Sequence, residues 1–164
     1  MDKYKEITYL LGCYMVIVDK EINQLEVDVL DNYLPLSKED ELYHQRMQIF
    51  SDDEERIKLK DLLDKLVMAN YSVAEKTEIV TLLARIAYGD DYMANSELEL
   101  LIKVGKLLKL DIDQIIEEIQ SESNKRIVSS QLSSLKRFVG KMENTIYQSF
   151  ANSDKKSVVD MMLG

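Results

Sequence analysis

The side chains that could carry chemistry in this sequence are carboxylates, because other reactive residue types are scarce. The chain has one histidine, His44, and one cysteine, Cys13, so neither has a partner of its own type with which to share a metal ion. No H-E-x-x-H, C-x-x-C, G-x-G-x-x-G or P-loop pattern is present. Carboxylates are concentrated in two short segments, and their oxygens are the ligands that Ca²⁺ prefers. The residues in these two segments are Asp19, Glu21, Glu26, Asp90, Asp91 and Glu97.

Each acidic segment alone is too short to be an EF-hand loop. Six residues separate Asp19 from Glu26, whereas an EF-hand needs D-x-[DN]-x-[DN]-G and a Glu at its twelfth position. The same residues also fit a role without a ligand. Asn23 is predicted to be an N-cap that accepts a bond from the backbone N–H of Glu26, while Glu26 bonds back to Asn23 in a capping box. Two alternatives stay open: helix caps that face water, or a cation site shared by the two segments.

The two acidic segments lie at corresponding positions of an internal repeat. Sliding the segment 9–34 along the chain by 71 positions brings Asp19 onto Asp90 and Glu26 onto Glu97. Each copy spells an apolar helix, then D-x-x-[IM]-x-x-x-E, then a second apolar helix. We therefore expect two helix pairs related by an approximate twofold axis, with Ile22 beneath the first turn. The coinciding apolar pairs are Leu11 and Leu82, Met15 and Ile86, Val27 and Leu98, and Leu30 and Leu101.

The duplicated motif resembles that of the TerB-like domain, the family named after the bacterial tellurite-resistance protein B. The family's motif is A-D-G-x-I-x-x-x-E, and neither copy here keeps the alanine or the glycine, since they read Val18-Asp19-Lys20 and Gly89-Asp90-Asp91. The resemblance covers roughly residues 4–120. It implies an acidic surface that holds a divalent cation. Carried over residue by residue, that site consists of Asp19, Glu26, Asp90 and Glu97, with Glu21 and Asp91 as neighbours.

The remaining pattern predicts an all-α, single-domain helical bundle. A third helix is expected over residues 38–50, capped by Ser37. A fourth begins at residues 51–53, with apolar positions at helical spacing at Leu59, Leu62, Leu63, Leu66 and Val67. Ser72 and Glu75 form a capping box for a fifth helix, a sixth ends near residue 108, and Asp111 caps a seventh. We expect residues 1–120 to form the TerB-like domain and residues 121–164 a C-terminal helical extension packed on it. The apolar positions expected to pack in the third helix are Leu42, Tyr43, Met47 and Phe50.

The charge distribution limits the classes of partner. Residues 1–120 carry 26 acidic and 14 basic side chains, a net charge of −12, whereas residues 121–164 carry 4 and 7, a net charge of +3. An acidic body repels nucleic acid and anionic lipid, whereas the basic tail could tolerate either. The resemblance to the TerB-like family implies protein partners. The single cysteine fits a reducing compartment. The residues that precede Cys13 lack the basic start and the apolar run of a signal peptide. No apolar run is long enough to span a membrane, and we therefore expect a cytoplasmic protein.

Three functions are compatible with these patterns. The resemblance favours a non-enzymatic interaction module of a bacterial stress-response complex of the tellurite-resistance kind, with a divalent cation at the acidic helix junctions. The second is a metal-dependent hydrolase built on the same carboxylates, which requires a bound ion with an open coordination position. The third is a plain helical homodimer or adaptor, suggested by an amphipathic stripe over residues 132–150.

Overall fold

A computed structural model describes residues 3–19, 21–51, 55–87, 95–111, 113–115 and 117. These ranges contain six helices and no strand, which confirms the predicted all-α bundle. None of the helices in the described part of the chain has both the length and the apolar character needed to cross a membrane. The predicted C-terminal extension over residues 121–164 lies outside the described residues. The helices are α1 (Lys3–Ile17), α2 (Gln24–Tyr33), α3 (Glu41–Ser51), α4 (Glu55–Met68), α5 (Val73–Ala87) and α6 (Asn95–Leu107).

Helix α1 is the centre of the bundle. It packs against α2, α3, α4 and α5, and all of residues 11–16 are buried. A helix that is apolar on every side is expected to be surrounded by other elements. Gly12 makes the close approach of two neighbours possible, because a Cβ there would lie 2.7 Å from Leu30 Cδ1 on α2 and 3.0 Å from Ile86 Cδ1 on α5.

Helix α5 is the second large contributor to the core, with contacts to α1, α2 and α6. Its start confirms the predicted capping box: Ser72 N donates to Glu75 Oε1 at 2.9 Å, and Glu75 N donates to Ser72 Oγ at 3.2 Å.

Helix α4 packs on α1 and α6 and buries four of its predicted apolar positions. These are Leu62, Leu63, Leu66 and Val67.

Helix α6 ends in a Schellman motif that was not predicted from the sequence, because the residue with positive φ is a lysine and not a glycine. Lys109 has a φ of 61°, its N–H donates to the carbonyl of Lys106 at 2.9 Å, and the N–H of Leu110 donates to the carbonyl of Gly105 at 3.0 Å. The predicted cap at Asp111 is confirmed, because its Oδ1 accepts from Gln114 N at 2.6 Å. Residues 113–115 and 117 are helical.

The third helix departs from its prediction in both its start and its buried face. It begins at Glu41, since the carbonyl of Asp40 accepts from His44 N at 3.2 Å. Ser37 is not its cap: Ser37 N instead donates to the Asp40 carboxylate at 2.8 Å. Helix α3 buries Leu42 and Ile49, whereas the side chain of Met47 is 46% exposed. The expected apolar face is confirmed at Leu42 and partly at Phe50, which packs against the core, and is wrong at Met47. The charged residue next to it, Arg46, bonds to α1 and α2 instead.

Arg46 connects three helices through its guanidinium group. Its Nη1 donates to Tyr9 Oη at 3.1 Å on α1 and to Asp31 Oδ1 at 2.5 Å on α2. The guanidinium also lies over the rings of Tyr43 and Phe50, at 5.5 and 5.4 Å from their centroids. Burial disfavours the charged form, but the hydrogen bonds from Arg46 to Tyr9 and Asp31 raise the pKa of Arg46 above its usual value. The arrangement fixes α3 against the α1–α2 pair.

Candidate functional site at the helix junctions

The α1–α2 junction is held by local hydrogen bonds. Asp19 Oδ1 accepts from Glu21 N at 3.1 Å, and Asn23 Oδ1 accepts from Leu25 N at 2.8 Å. Asn23 has the extended backbone of an N-cap, with φ −97° and ψ 125°, which confirms its predicted role. The donor is Leu25 rather than the predicted Glu26, because Glu26 N donates to the backbone carbonyl of Asn23 at 3.1 Å.

Glu26 and Glu97 occupy the same place in their helices, as the third residue of α2 and of α6. Both are buried, with 1% of each residue exposed. The exposed N–H groups at a helix start favour a negative charge there. These two carboxylates therefore do not face water. The alternative in which they are water-exposed helix caps does not describe them.

The other predicted ligands are placed differently. Asp19 and Glu21 are exposed on the α1–α2 junction, and Asp90 and Asp91 lie outside the described residues. Within the part of the chain that the structure describes, no three His, Cys, Asp or Glu side chains are grouped in a way that could hold a metal ion. The four-carboxylate cation site remains a prediction.

The burial of the two helix pairs follows the predicted register. Gln24 begins α2 and Asn95, 71 positions later, begins α6. Every one of the predicted apolar pairs is buried in both copies, with at most 6% exposed. The approximate twofold relation between the two pairs remains a prediction. The pairs are Leu11 and Leu82, Met15 and Ile86, Val27 and Leu98, and Leu30 and Leu101.

The α1–α2 junction exposes large apolar side chains that sequence reasoning missed. Ile22 is 55% exposed and Leu25 is 54% exposed, so the expectation that Ile22 lies beneath the turn was wrong. The residues of this segment that reach the core are Val27 and Leu30, further along α2. Three exposed carboxylates surround the apolar pair. We refer to this surface as the junction face, which consists of Asp19, Glu21, Ile22, Leu25 and Asp28.

Local hydrogen bonds order the backbone beside the junction face. Asp19 and Asn23 each accept from a backbone N–H two residues later, and Gln24 Nε2 donates to Asp28 Oδ1 at 2.9 Å across the first turn of α2. An exposed apolar pair with polar neighbours is the pattern of a protein-binding site.

The single histidine and the single cysteine behave as predicted. His44 is exposed on α3. Cys13 is a free thiol in the core of α1, and burial raises its pKa far above the usual value. A thiol that is held protonated is a poor nucleophile.

A second surface feature is a groove of about 520 Å³ along the exposed side of α5. Tyr4 and Tyr33 form its opposite wall, and Glu75 and Glu78 lie in its lining. Burial, and then the nearby Glu78 carboxylate, raise the pKa of Tyr33 to about 12. A phenol that stays protonated to such a pH does not act as a base at neutral pH, so Tyr33 is not a general base for this groove.

Comparison of the chain with protein-family models, with curated proteins and with solved structures finds no match. The resemblance to the TerB-like family therefore rests on the duplicated acidic motif of the sequence.

Proposed function

We propose that this chain is a non-enzymatic, TerB-like interaction module that acts in a cytoplasmic bacterial stress-response complex of the tellurite-resistance kind. The observation that carries the proposal is the junction face, where two large apolar side chains are more than half exposed within an acidic surround. The matched burial of Glu26 and Glu97 at the start of α2 and α6 supports the TerB-like part of the proposal.

The junction face is suited to a protein partner. Exposed apolar surface is unfavourable in water, at roughly 25 cal/mol for each Å², and covering Ile22 and Leu25 would remove it. Asp19, Glu21 and Asp28 form the rim, so the partner should carry apolar side chains flanked by lysine or arginine. Because the local hydrogen bonds already hold the backbone, little conformational entropy is lost on binding.

A divalent cation at the acidic junctions is the second part of the proposal. Glu26 and Glu97 bring a buried carboxylate to each junction, and a bound cation is one way to stabilise carboxylates that are removed from water. In this arrangement the cation is structural: it fixes the helix starts on which the junction face is built. A metal-dependent hydrolase would instead require an ion with an open coordination position facing a cleft.

The test of the interaction module is affinity purification from the bacterium that produces the protein, grown with and without tellurite. The wild-type chain is compared with a double variant, Ile22→Ser with Leu25→Ser. A matched control is Met47→Ser, which makes the same kind of change at an apolar residue of α3 that is 46% exposed.

We expect one protein to be recovered in stoichiometric amount with the wild-type chain and with Met47→Ser, and to be lost with the double variant. Equal recovery from all three chains would show that the junction face does not bind it. Metal-dependent hydrolysis by the purified chain would overturn the non-enzymatic assignment.

A further inference from the structure

A groove at the opposite end of α1 combines apolar side chains with lysines, whereas the junction face combines apolar side chains with carboxylates. The groove has a volume of about 600 Å³ and lies between the start of α1, the end of α4 and the turn that leads to α5. Ile7, Met68 and Tyr71 contribute apolar surface, and Lys3 and Lys65 lie on its two sides. We refer to this surface as the basic groove.

The apolar side chains of the basic groove differ in exposure: Ile7 and Tyr71 are partly buried against the core, whereas Met68 at the end of α4 is strongly exposed. Met68 is 64% exposed, and Val73, just beyond the turn, is 68% exposed. Monomeric proteins rarely leave large neighbouring apolar side chains uncovered unless they form a binding surface. The turn is rigid, because the capping box of Ser72 and Glu75 closes it and the ring of Tyr71 meets that of Tyr4 edge to face, with centroids 6.3 Å apart.

The basic groove is also electrostatically unusual for this protein. Residues 1–120 have a net charge of −12, yet the groove has two lysines and one acidic residue, Glu6, in its lining. Among the described residues, neither Lys3 nor Lys65 takes part in an ion pair. Both ammonium groups are therefore available for carboxylates of a bound molecule.

The junction face has the properties that the basic groove requires. It presents the exposed apolar pair Ile22 and Leu25 together with the exposed carboxylates of Asp19, Glu21 and Asp28. The two surfaces lie near opposite ends of α1, whose 15 residues span about 22 Å. One molecule cannot bring its own face to its own groove across that distance, but two molecules placed head to tail can.

We propose that the partner of the junction face is a second copy of this chain, which binds it through the basic groove. This inference rests on the proposed function, because it names a partner for the same face. The contact is heterologous, since different surfaces of the two copies meet, so it leaves one free face and one free groove on every pair. Further copies can then add to form a ring or an open chain.

The contact should be sensitive to salt. Its ion pairs would be formed by surface lysines and carboxylates, and salt screens such pairs over about 10 Å at 0.1 M ionic strength. Both copies are acidic overall, so long-range repulsion opposes their approach at low salt while the local ion pairs favour it. The apolar side chains then determine most of the affinity.

The experiment uses the full chain and two complementary variants. Leu25→Lys damages the junction face and leaves the groove intact, whereas Met68→Asp damages the groove and leaves the face intact. Met47→Lys and Met47→Asp are matched controls at an exposed residue outside both surfaces. Molar mass is measured by light scattering and sedimentation over a range of concentrations, and circular dichroism confirms that each variant is folded.

We expect the mass of the wild-type chain to rise with concentration, and the dissociation constant to increase roughly tenfold or more in each variant alone. The controls should associate as the wild type does. An equimolar mixture of Leu25→Lys and Met68→Asp should form a dimer of defined size, because the intact face of one binds the intact groove of the other.

Three results would overturn the inference: a wild-type chain that stays monomeric at millimolar concentration, a mixture that stays monomeric, or a closed dimer that either single variant leaves unchanged. Loss of a different protein with the Ile22→Ser and Leu25→Ser double variant, without any self-association, would overturn this inference and leave the proposed function standing.

Discussion

Arg46 on α3 donates a hydrogen bond of 3.1 Å to the hydroxyl of Tyr9 on α1, a residue with no exposed surface. The same Nη1 reaches Asp31 on α2, whose side chain is 48% exposed. The two partners of Arg46 therefore differ in the free energy that each contributes. A buried hydroxyl that loses its partner destabilises a fold by about 1–3 kcal/mol, whereas a half-exposed ion pair contributes little.

We predict that Arg46→Met lowers the free energy of unfolding by about 2 kcal/mol. The change removes the hydrogen-bond donor of the buried Tyr9 hydroxyl and the cation that lies over two aromatic rings. Asp31→Asn should lower it by less than about 1 kcal/mol. Urea denaturation followed by circular dichroism measures both. Equal effects of the two variants would mean that the ion pair, rather than the Tyr9 hydrogen bond, is the important contact.

We predict that the fold loses stability at alkaline pH, because folding raises the pKa of two tyrosine phenols. Burial raises the pKa of Tyr9 to about 12, opposed by its hydrogen bond from Arg46, and burial followed by the Glu78 carboxylate raises that of Tyr33 to about 12. In the unfolded chain both phenols ionise at the usual tyrosine pKa of about 10. The folded state thus binds these protons more tightly. Their contribution to the free energy of unfolding is fully present below pH 10 and is lost as the pH rises from 10 to about 12.

Cys13 should advance the onset of this loss. Burial raises the pKa of its thiol above the usual cysteine value of about 8.5, so the unfolded chain releases this proton before the folded chain does. Thermal unfolding at pH values from 7 to 12 should show a constant melting temperature to about pH 9 and a steep fall above it. Cys13→Ala should delay the onset to about pH 10, and an unchanged profile would contradict the assignment.

The end of α6 offers a stabilising substitution. Lys109 is the one non-glycine residue with a positive φ among the described residues, and a left-handed conformation costs a residue with a Cβ about 1–2 kcal/mol. Glycine is the preferred residue at this position of a Schellman motif. Lys109→Gly should raise the free energy of unfolding by about 1 kcal/mol, and Lys103→Gly, in the middle of the same helix, should lower it by about 1 kcal/mol.

The interior of the bundle was predictable to the extent that periodicity determines which side of a helix is buried. Leu62, Leu63, Leu66 and Val67 recur at helical spacing and are buried as expected, and the capping box of Ser72 and Glu75 forms as its pattern indicates. Such features depend on residues close together in sequence.

Features that depend on residues far apart were missed. Nothing near Arg46 in sequence shows that Tyr9, 37 positions earlier, will accept its hydrogen bond. The aromatic residues Tyr43 and Phe50, three before and four after it on the same helix, are a signal that could have suggested a stacked guanidinium. The exposure of Ile22 was missed because an apolar residue in a turn is usually expected to reach the core, whereas Val27 and Leu30 are the residues of this segment that are buried there.

The candidate cation site was only partly predictable for the same reason. Spacing and resemblance identified Glu26 and Glu97 as a matched pair, and both are buried at the start of a helix. Whether two junctions 71 residues apart come together depends on how the helix pairs pack, which spacing does not determine. A binding measurement on the folded chain tests this directly.

Our last prediction concerns that cation. If the junctions share a site, millimolar Ca²⁺ or Mg²⁺ should raise the melting temperature of the wild-type chain. Binding only to the folded state adds about 2.7 kcal/mol at a hundredfold excess over the dissociation constant, which corresponds to roughly 5–10 °C for a chain of this size. Asp90→Asn combined with Glu97→Gln should abolish the increase, because each change removes one charged ligand.

The quantity to compare is the change in melting temperature on adding the cation, because Glu97 is buried and its replacement alters the stability of the metal-free chain as well. Glu99→Gln is the matched control, since Glu99 is exposed on α6 two residues away and should leave the increase intact. Titration calorimetry with Ca²⁺, Mg²⁺, Mn²⁺ and Zn²⁺ gives the stoichiometry, expected to be one ion for each chain when both junctions contribute. If no divalent cation changes the melting temperature, Glu26 and Glu97 stabilise the starts of α2 and α6 through the helix dipole, with no cation involved.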